Sequence, residues 1–169
     1  NNLTNMKKLA FIFILALAGV ATTQAQEIAD NALGLRLGDS DGFCAEISYQ
    51  RAVGANNNRL EFDLGWRDSR YYDAVRLAAL YQWVWNIDGG FNWYAGAGGG
   101  LGSYDIDNDH PHYDGDDSEL FAFVAGDIGI EYNFDIPLIL SLDFRPEIGF
   151  DDYSDDVDLD IALGIRYQF

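Results

Sequence analysis

The last stretch of the chain decides the fold: Val157-Asp158-Leu159-Asp160-Ile161-Ala162-Leu163-Gly164-Ile165-Arg166-Tyr167-Gln168-Phe169. Every odd-numbered position is apolar. The even-numbered positions hold Asp, Asp, Ala, Gly, Arg and Gln. Successive side chains of a strand point to opposite faces, so an apolar period of two predicts a β-strand with one apolar face.

The same period runs back through the chain. Leu138, Leu140, Leu142, Phe144, Pro146, Ile148 and Phe150 form one face, against Ile139, Ser141, Asp143, Arg145, Glu147 and Gly149. Leu33, Leu35 and Leu37 alternate with Gly34, Arg36 and Gly38. Phe43, Ala45, Ile47 and Tyr49 alternate with Cys44, Glu46, Ser48 and Gln50. Leu60, Phe62, Leu64 and Trp66 alternate with Glu61, Asp63 and Gly65. Three further segments fit: Val75 to Trp83, Phe91 to Gly98, and Leu120 to Asn133. In the first and last of these, both faces carry apolar residues. That makes eight candidate strands, with cores near the roughly 9–11 residues that cross a membrane.

The two faces differ in charge. One has no charged residue in any segment. The other carries Arg36, Arg76, Arg145 and Arg166 with Glu46, Glu61, Asp63, Asp127, Glu131, Asp143, Glu147, Asp158 and Asp160. A charge facing lipid at mid-depth costs roughly 2–4 kcal/mol, so a charge-free face is what lipid selects. The expectation is an all-β, eight-stranded antiparallel up-and-down transmembrane β-barrel with the charged face lining the lumen. The alternatives are a two-layer sandwich with one wet face per sheet, and a soluble barrel with an apolar ligand cavity.

Aromatic residues sort to the strand ends. Tyr49, Trp83, Trp85, Phe91, Trp93, Tyr132, Phe134, Tyr167 and Phe169 fall on one side. Trp66, Tyr71, Tyr72, Tyr104, Phe150 and Tyr153 fall on the other. Two such girdles are the interfacial anchors of a membrane barrel. Connections beside the first girdle are short: Gly54–Asn58, Asn86–Gly90 and Asn133–Pro137. On the other side lie Asp39–Gly42, Arg67–Tyr72, Asp105–Ser118 and Asp151–Asp156, the longest of them, Asp105–Ser118, strongly acidic. Short turns face the periplasm in this architecture, so both termini are expected there.

Composition narrows function. The chain carries 28 Asp plus Glu against 10 Lys plus Arg, a net charge of −18. That excludes a phosphate-backbone partner, and no nucleic acid is expected. Its 15% aromatic content excludes a disordered acidic chain. One cysteine, Cys44, allows no internal disulfide. Met6, Lys7 and Lys8 precede an apolar run from Leu9 to Ala21 and a small-residue site at Thr23-Gln24-Ala25. This is the pattern of a secretory signal peptide over 6–25, with residues 1–5 upstream of translation and the barrel over 26–169.

Over residues 26–169 the chain resembles the small eight-stranded outer-membrane barrels of Gram-negative bacteria, the OmpA-barrel and OmpX type. The most specific element is "IALGIRYQF" with its terminal Phe169. It resembles the family's assembly signal, which implies that the barrel assembly machinery reads Leu163, Ile165, Tyr167 and Phe169. The "GIRYQF" ending is similar to barrels of the Bacteroidetes lineage. The resemblance implies a monomer in the bacterial outer membrane, in contact with its lipid and lipopolysaccharide.

An eight-stranded barrel is just wide enough for side chains to fill it. Inward arginines among inward acids predict an ion-pair network that holds register. The excess of acids leaves a small cation-leaning pore as an alternative. Gly96, Gly98, Gly100 and Gly102 leave an inward stripe of one strand bare, and Phe121 and Phe123 on the neighbouring strand are positioned to lie over those glycines and plug the outer half of the lumen.

In the longest loop, Asp105, Asp107 and Asp109 are spaced like the start of an EF-hand. His110 stands where that loop requires Gly, and no Glu closes it. With His112, these residues suit loose association of Ca²⁺ or Mg²⁺ better than a tight metal site. Ser103, His110 and His112 supply the residue types of a lipid A-modifying enzyme, but both His flank Pro111 in mid-loop with no local signature. The reading is a non-enzymatic envelope barrel with a structural or surface-interaction role and no cofactor.

Overall fold

The computed structural model describes residues 28–40, 43–68, 72–106, 118–150 and 157–169. They form eight strands: β1 (Asn31–Ser40), β2 (Phe43–Val53), β3 (Asn58–Asp68), β4 (Tyr72–Asp88), β5 (Phe91–Ile106), β6 (Ser118–Asn133), β7 (Leu138–Gly149) and β8 (Val157–Gln168). Each pairs antiparallel with its neighbour in sequence, and β8 returns to β1 through Ala32↔Gln168 to Leu37↔Leu163. The sheet is a closed barrel. The sandwich alternative is thereby excluded.

Each strand takes the phase its alternation predicts. On β8, Ile165 is 45% exposed while the adjacent Arg166 is 0%. The two ambiguous strands also resolve. Val75 and Leu77 face outward and Ala78 and Leu80 inward on β4; Leu120 and Val124 face outward and Phe123 and Ala125 inward on β6. Strands β4, β5 and β6 are longer than the expected cores, at 17, 16 and 16 residues. Asn86, Ile87 and Asp88, expected in a connection, belong to β4.

The strands are steeply inclined. The row that joins Asn31 to Arg51 near one end of the barrel passes through Leu60, Tyr81, Ala97 and Gly126. Gly126 abuts Pro146, which pairs with Leu159 near the other end of β8. A tilt of roughly 35–45° is the consequence of closing eight strands.

Three tight turns lie at one end. Gly54 and Asn57 take φ of 72° and 54° in the first of them. Gly89 takes φ 51° in the second. There the Asn86 side-chain amide donates to the carbonyls of Gly89 (2.9 Å) and Phe91 (3.2 Å). Positive φ is the reason turn glycines stand at 54 and 89.

Aromatic side chains ring this end. Trp85 stacks on Trp93 at 4.3 Å, Phe91 meets Tyr132 at 4.6 Å, and Tyr132 meets Phe134 at 4.7 Å. At the opposite end Trp66 and Phe150 are exposed. Tyr72 and Tyr104 sit in the outer parts of β4 and β5, while Tyr71 and Tyr153 lie outside the described residues.

The β1–β8 seam is a place of close backbone approach. A Cβ on Gly34 would fall on the Ile165 carbonyl. We expect Gly34→Val to destabilise the refolded barrel by about 2–4 kcal/mol, since neither backbone yields without breaking the seam. Denaturant unfolding in detergent micelles, followed by circular dichroism, checks this.

Candidate functional site: the charged lumen

The inward face of the barrel is charged and almost wholly sealed from solvent. Arg36, Arg59, Arg76, Arg145 and Arg166 are all buried, with Glu46, Glu61, Asp63, Asp127, Glu131, Asp143, Glu147 and Asp160. Asp158 is half-buried. A buried charge persists only when paired and hydrogen-bonded, so the pairings matter.

Arg145 is the hub. Its Nη2 lies 2.9 Å from Glu61 Oε1 and 2.8 Å from Asp63 Oδ2. The bond runs from β7 to β3, across the lumen. Glu61 also accepts from Arg166 Nη2 at 3.1 Å and from Gln50 Nε2 at 2.5 Å. Arg166 completes its fork on Ser48 Oγ (2.9 Å) and Ser141 Oγ (2.8 Å). The neighbouring strands β7 and β8 are thus joined to the neighbouring strands β2 and β3 through two guanidinium groups.

Nearer the loop end, Arg36 binds Asp143 Oδ1 at 2.5 Å, Asp160 Oδ2 at 2.6 Å and Glu46 Oε2 at 3.0 Å. Arg76 binds Glu147 Oε1 at 2.6 Å and Glu46 Oε1 at 3.2 Å. The planar fork of arginine suits such divided bonding, which the ammonium of a lysine cannot reproduce.

Near the tight-turn end the bonding involves a residue the strand pattern missed. Arg59 lies one position before the alternation of β3 becomes visible. It donates to Gln82 Oε1 at 2.6 Å and pairs with Glu131 Oε2 at 2.8 Å. Its guanidinium lies 4.8 Å over the Tyr94 ring. Gln82 in turn donates to Asp127, and Asn92 donates to Glu131 at 3.2 Å. Gln82, Asn92 and Tyr94 sit on the inward phase of β4 and β5, which was the available signal; without charge they did not stand out.

Apolar groups close both ends of the ion layer. Towards the loops, Phe121 and Phe123 pack with Ala78, Leu80 and Ala125. The Phe121 ring occupies the side-chain space of Gly102 and the Phe123 ring that of Gly100. The loop-side half of the glycine stripe is therefore covered by aromatic rings, as expected, while Gly96 and Gly98 lie against the backbone of β4 instead. The Arg76 guanidinium sits 4.8 Å over Phe123. Towards the tight turns, Ile28 packs with Val84, Tyr94 and Ala52.

Other sequence candidates lie elsewhere. Ser103 occupies an outward-facing position of β5, two residues beyond the exposed Leu101. Asp105 is also in β5, while Asp107, Asp109, His110 and His112 lie outside the described residues, as do residues 1–27 with the expected signal peptide. Leu163, Ile165, Tyr167 and Phe169 all face outward and are exposed.

No protein-family model and no curated protein matches the chain. Solved structures match its fold. The N-terminal β-barrel domain of Pseudomonas aeruginosa OprF is similar at TM-score 0.61 and 14% identity, over 83% of this chain and 98% of that one. Neisserial surface protein A is similar at TM-score 0.57 and 14% identity, over 82% and 94%. The Yersinia pestis outer membrane protein Ail, in a phospholipid bilayer nanodisc, is similar at TM-score 0.52 and 14% identity, over 84% and 100%. The chain has the fold of a small eight-stranded outer-membrane barrel. Nothing in these comparisons supports the Bacteroidetes lineage suggested by the final residues.

Replacing Arg145 tests the hub. Arg145→Met leaves Asp63 without its guanidinium partner and Glu61 with that of Arg166 alone, and should cost about 3–5 kcal/mol of stability. Adding Glu61→Gln and Asp63→Asn should recover much of that loss. Denaturant unfolding of the wild-type chain and the two variants measures both.

Proposed function

We propose that this chain is a non-enzymatic, monomeric barrel of the bacterial outer membrane with a structural or surface-interaction role in the envelope. The observation that carries the reading is the sorting of charge: arginines and carboxylates buried inside, and an uncharged, exposed apolar belt outside. In water that belt would be a very large apolar surface, far beyond what a soluble monomer exposes. In lipid it is the surface that a membrane strand requires. The likeness to OprF, Neisserial surface protein A and Ail supports the same placement.

On this reading the tight turns face the periplasm and the acidic loops face outward, towards lipopolysaccharide. Leu163, Ile165, Tyr167 and Phe169 on the closing strand are the residues the barrel assembly machinery would engage. Their regular outward alternation supports that role. The loop acids are read as diffuse Ca²⁺ or Mg²⁺ contacts.

A second reading, a small cation-leaning pore, rests on the eight buried carboxylates that outnumber five buried arginines. Against it stands the guanidinium of Arg145 bridging opposite walls, with an aromatic lid above it.

Planar-bilayer recording separates the two. The expected result is no discrete, stable conductance from the wild-type chain. Phe121→Ala with Phe123→Ala should raise leakage, and adding Arg145→Met should raise it further, since lid and ion layer obstruct in series. Regular channel steps from the wild-type chain would favour the pore.

A further inference from the structure

One proline interrupts the hydrogen bonding of the wall at the middle of the apolar belt. Strands β6 and β7 pair through Ala125↔Glu147 and, in the same register, through Ile128↔Phe144. That register sets Gly126 opposite Pro146 and Asp127 opposite Arg145. The Phe150 amide donates to the Ala122 carbonyl at 2.9 Å, which phases the ladder. Bonded pairs recur every second residue, so Gly126 and Pro146 fall where two bonds would be exchanged. Proline has no N–H, and the Gly126 carbonyl loses its partner. Gly126 lies midway between Leu120 and Tyr132 on β6, at a depth where lipid offers no donor. The Pro146 ring covers it on that side, with Cγ 3.4 Å from the position a Gly126 Cβ would take.

The lumen face of the same two strands is also incompletely bonded at this level. Asp127 and Arg145 are buried, at 5% and 0% exposure. They occupy a non-bonded position of the ladder, where facing Cα atoms stand about 4.5 Å apart. Yet Arg145 reaches across the lumen to Glu61 and Asp63 instead. Its Nε donates to no protein group, and Asp127 Oδ1 accepts from none. The other Asp127 oxygen is held by the neutral Gln82 amide. Among the described residues, Asp127 is the buried carboxylate with no arginine at ion-pair distance. Four adjoining residues thus leave two acceptors, the Gly126 carbonyl and Asp127 Oδ1, and one donor, Arg145 Nε.

We propose that this break in the wall is a binding site for a single water molecule, seated between the ladder and the ion layer. The water donates to the Gly126 carbonyl and to Asp127 Oδ1, and accepts from Arg145 Nε. About three such bonds are what a buried water ordinarily makes. A cation suits the site less, because the Arg145 guanidinium repels it. The inference rests on the outer-membrane reading above, since it is lipid that denies the carbonyl a donor from outside. Pro146 then opens one ladder position to solvent from the lumen and seals it against lipid. Asp127 is solvated where the other buried acids are paired.

The test uses the full chain, uniformly isotope-labelled and refolded into dimyristoylphosphatidylcholine bilayers. Water-edited magic-angle-spinning NMR reads the transfer of magnetisation from water protons to each carbon. Transfer to the Gly126 carbonyl and the Asp127 carboxyl carbon should be several-fold faster than to the carbonyl of Ala78, which is fully enclosed in the aromatic closure. Pro146→Ala restores the missing N–H. In that variant the Gly126 carbonyl should fall to the Ala78 rate.

Equal transfer at Gly126, Asp127 and Ala78 in the wild-type chain would overturn the proposal, because the break would be dry. A Gly126 rate unchanged by Pro146→Ala would overturn it too, since the water would not depend on the missing N–H. A shift of the Asp127 carboxyl resonance when choline replaces sodium would overturn it in favour of a bound cation. A chain that never enters the bilayers would refute the outer-membrane reading itself, and this inference with it.

Discussion

The guanidinium of Arg145, reaching from β7 to Glu61 and Asp63 on β3, is the contact on which the interior depends. An eight-stranded barrel has room for side chains and little else. Its lumen must therefore be filled. Once lipid claims every apolar face outside, the residues left to fill it are polar. Carboxylates enclosed there without cations would repel one another. Arg36, Arg76, Arg145 and Arg166 link them into one lattice, and the links of Arg36 to Asp143, Arg145 to Glu61 and Arg166 to Glu61 join strands far apart in sequence. The lattice so fixes which strands face which, and with that the register of the closed sheet. A one-residue slip on any strand would turn arginines into lipid and leucines into the lumen.

The ends of the lumen are finished differently from its middle. Phe121 and Phe123 lie over Gly100 and Gly102 on the loop side, and Ile28 packs on Val84 and Tyr94 on the turn side. Apolar closures above and below keep the ion layer in a low-dielectric setting, where paired charges interact strongly and unpaired ones are costly.

Much of this was legible in the residues themselves. The period of two placed every strand in its observed phase, even β4 and β6, because a single inward Arg76 or Asp127 is enough to orient a strand that lipid will cover. The positions of the tight turns followed from Gly and Asn. Arg59 was not legible as an inward residue, since it stands beside the Asn-rich turn and before the first clear alternation. The full extent of β4 was hidden because Asn86 and Asp88 are turn formers that here continue a strand. Which arginine meets which acid depends on the tilt and stagger of the closed barrel, and those belong to no local stretch of sequence. Arg36 with Asp143, more than a hundred residues apart, illustrates it.

The central claim is that the charged face is inside and the apolar face meets lipid. The most direct measurement is gel mobility of the chain refolded into detergent micelles, compared before and after boiling in dodecyl sulfate. A closed, lipid-facing barrel resists that detergent until heated, so the unboiled band should migrate apart from the boiled one, and deletion of β8 should abolish the difference. Identical migration, together with a soluble monomer in detergent-free buffer, would contradict the account and mean that the sheet is turned the other way round.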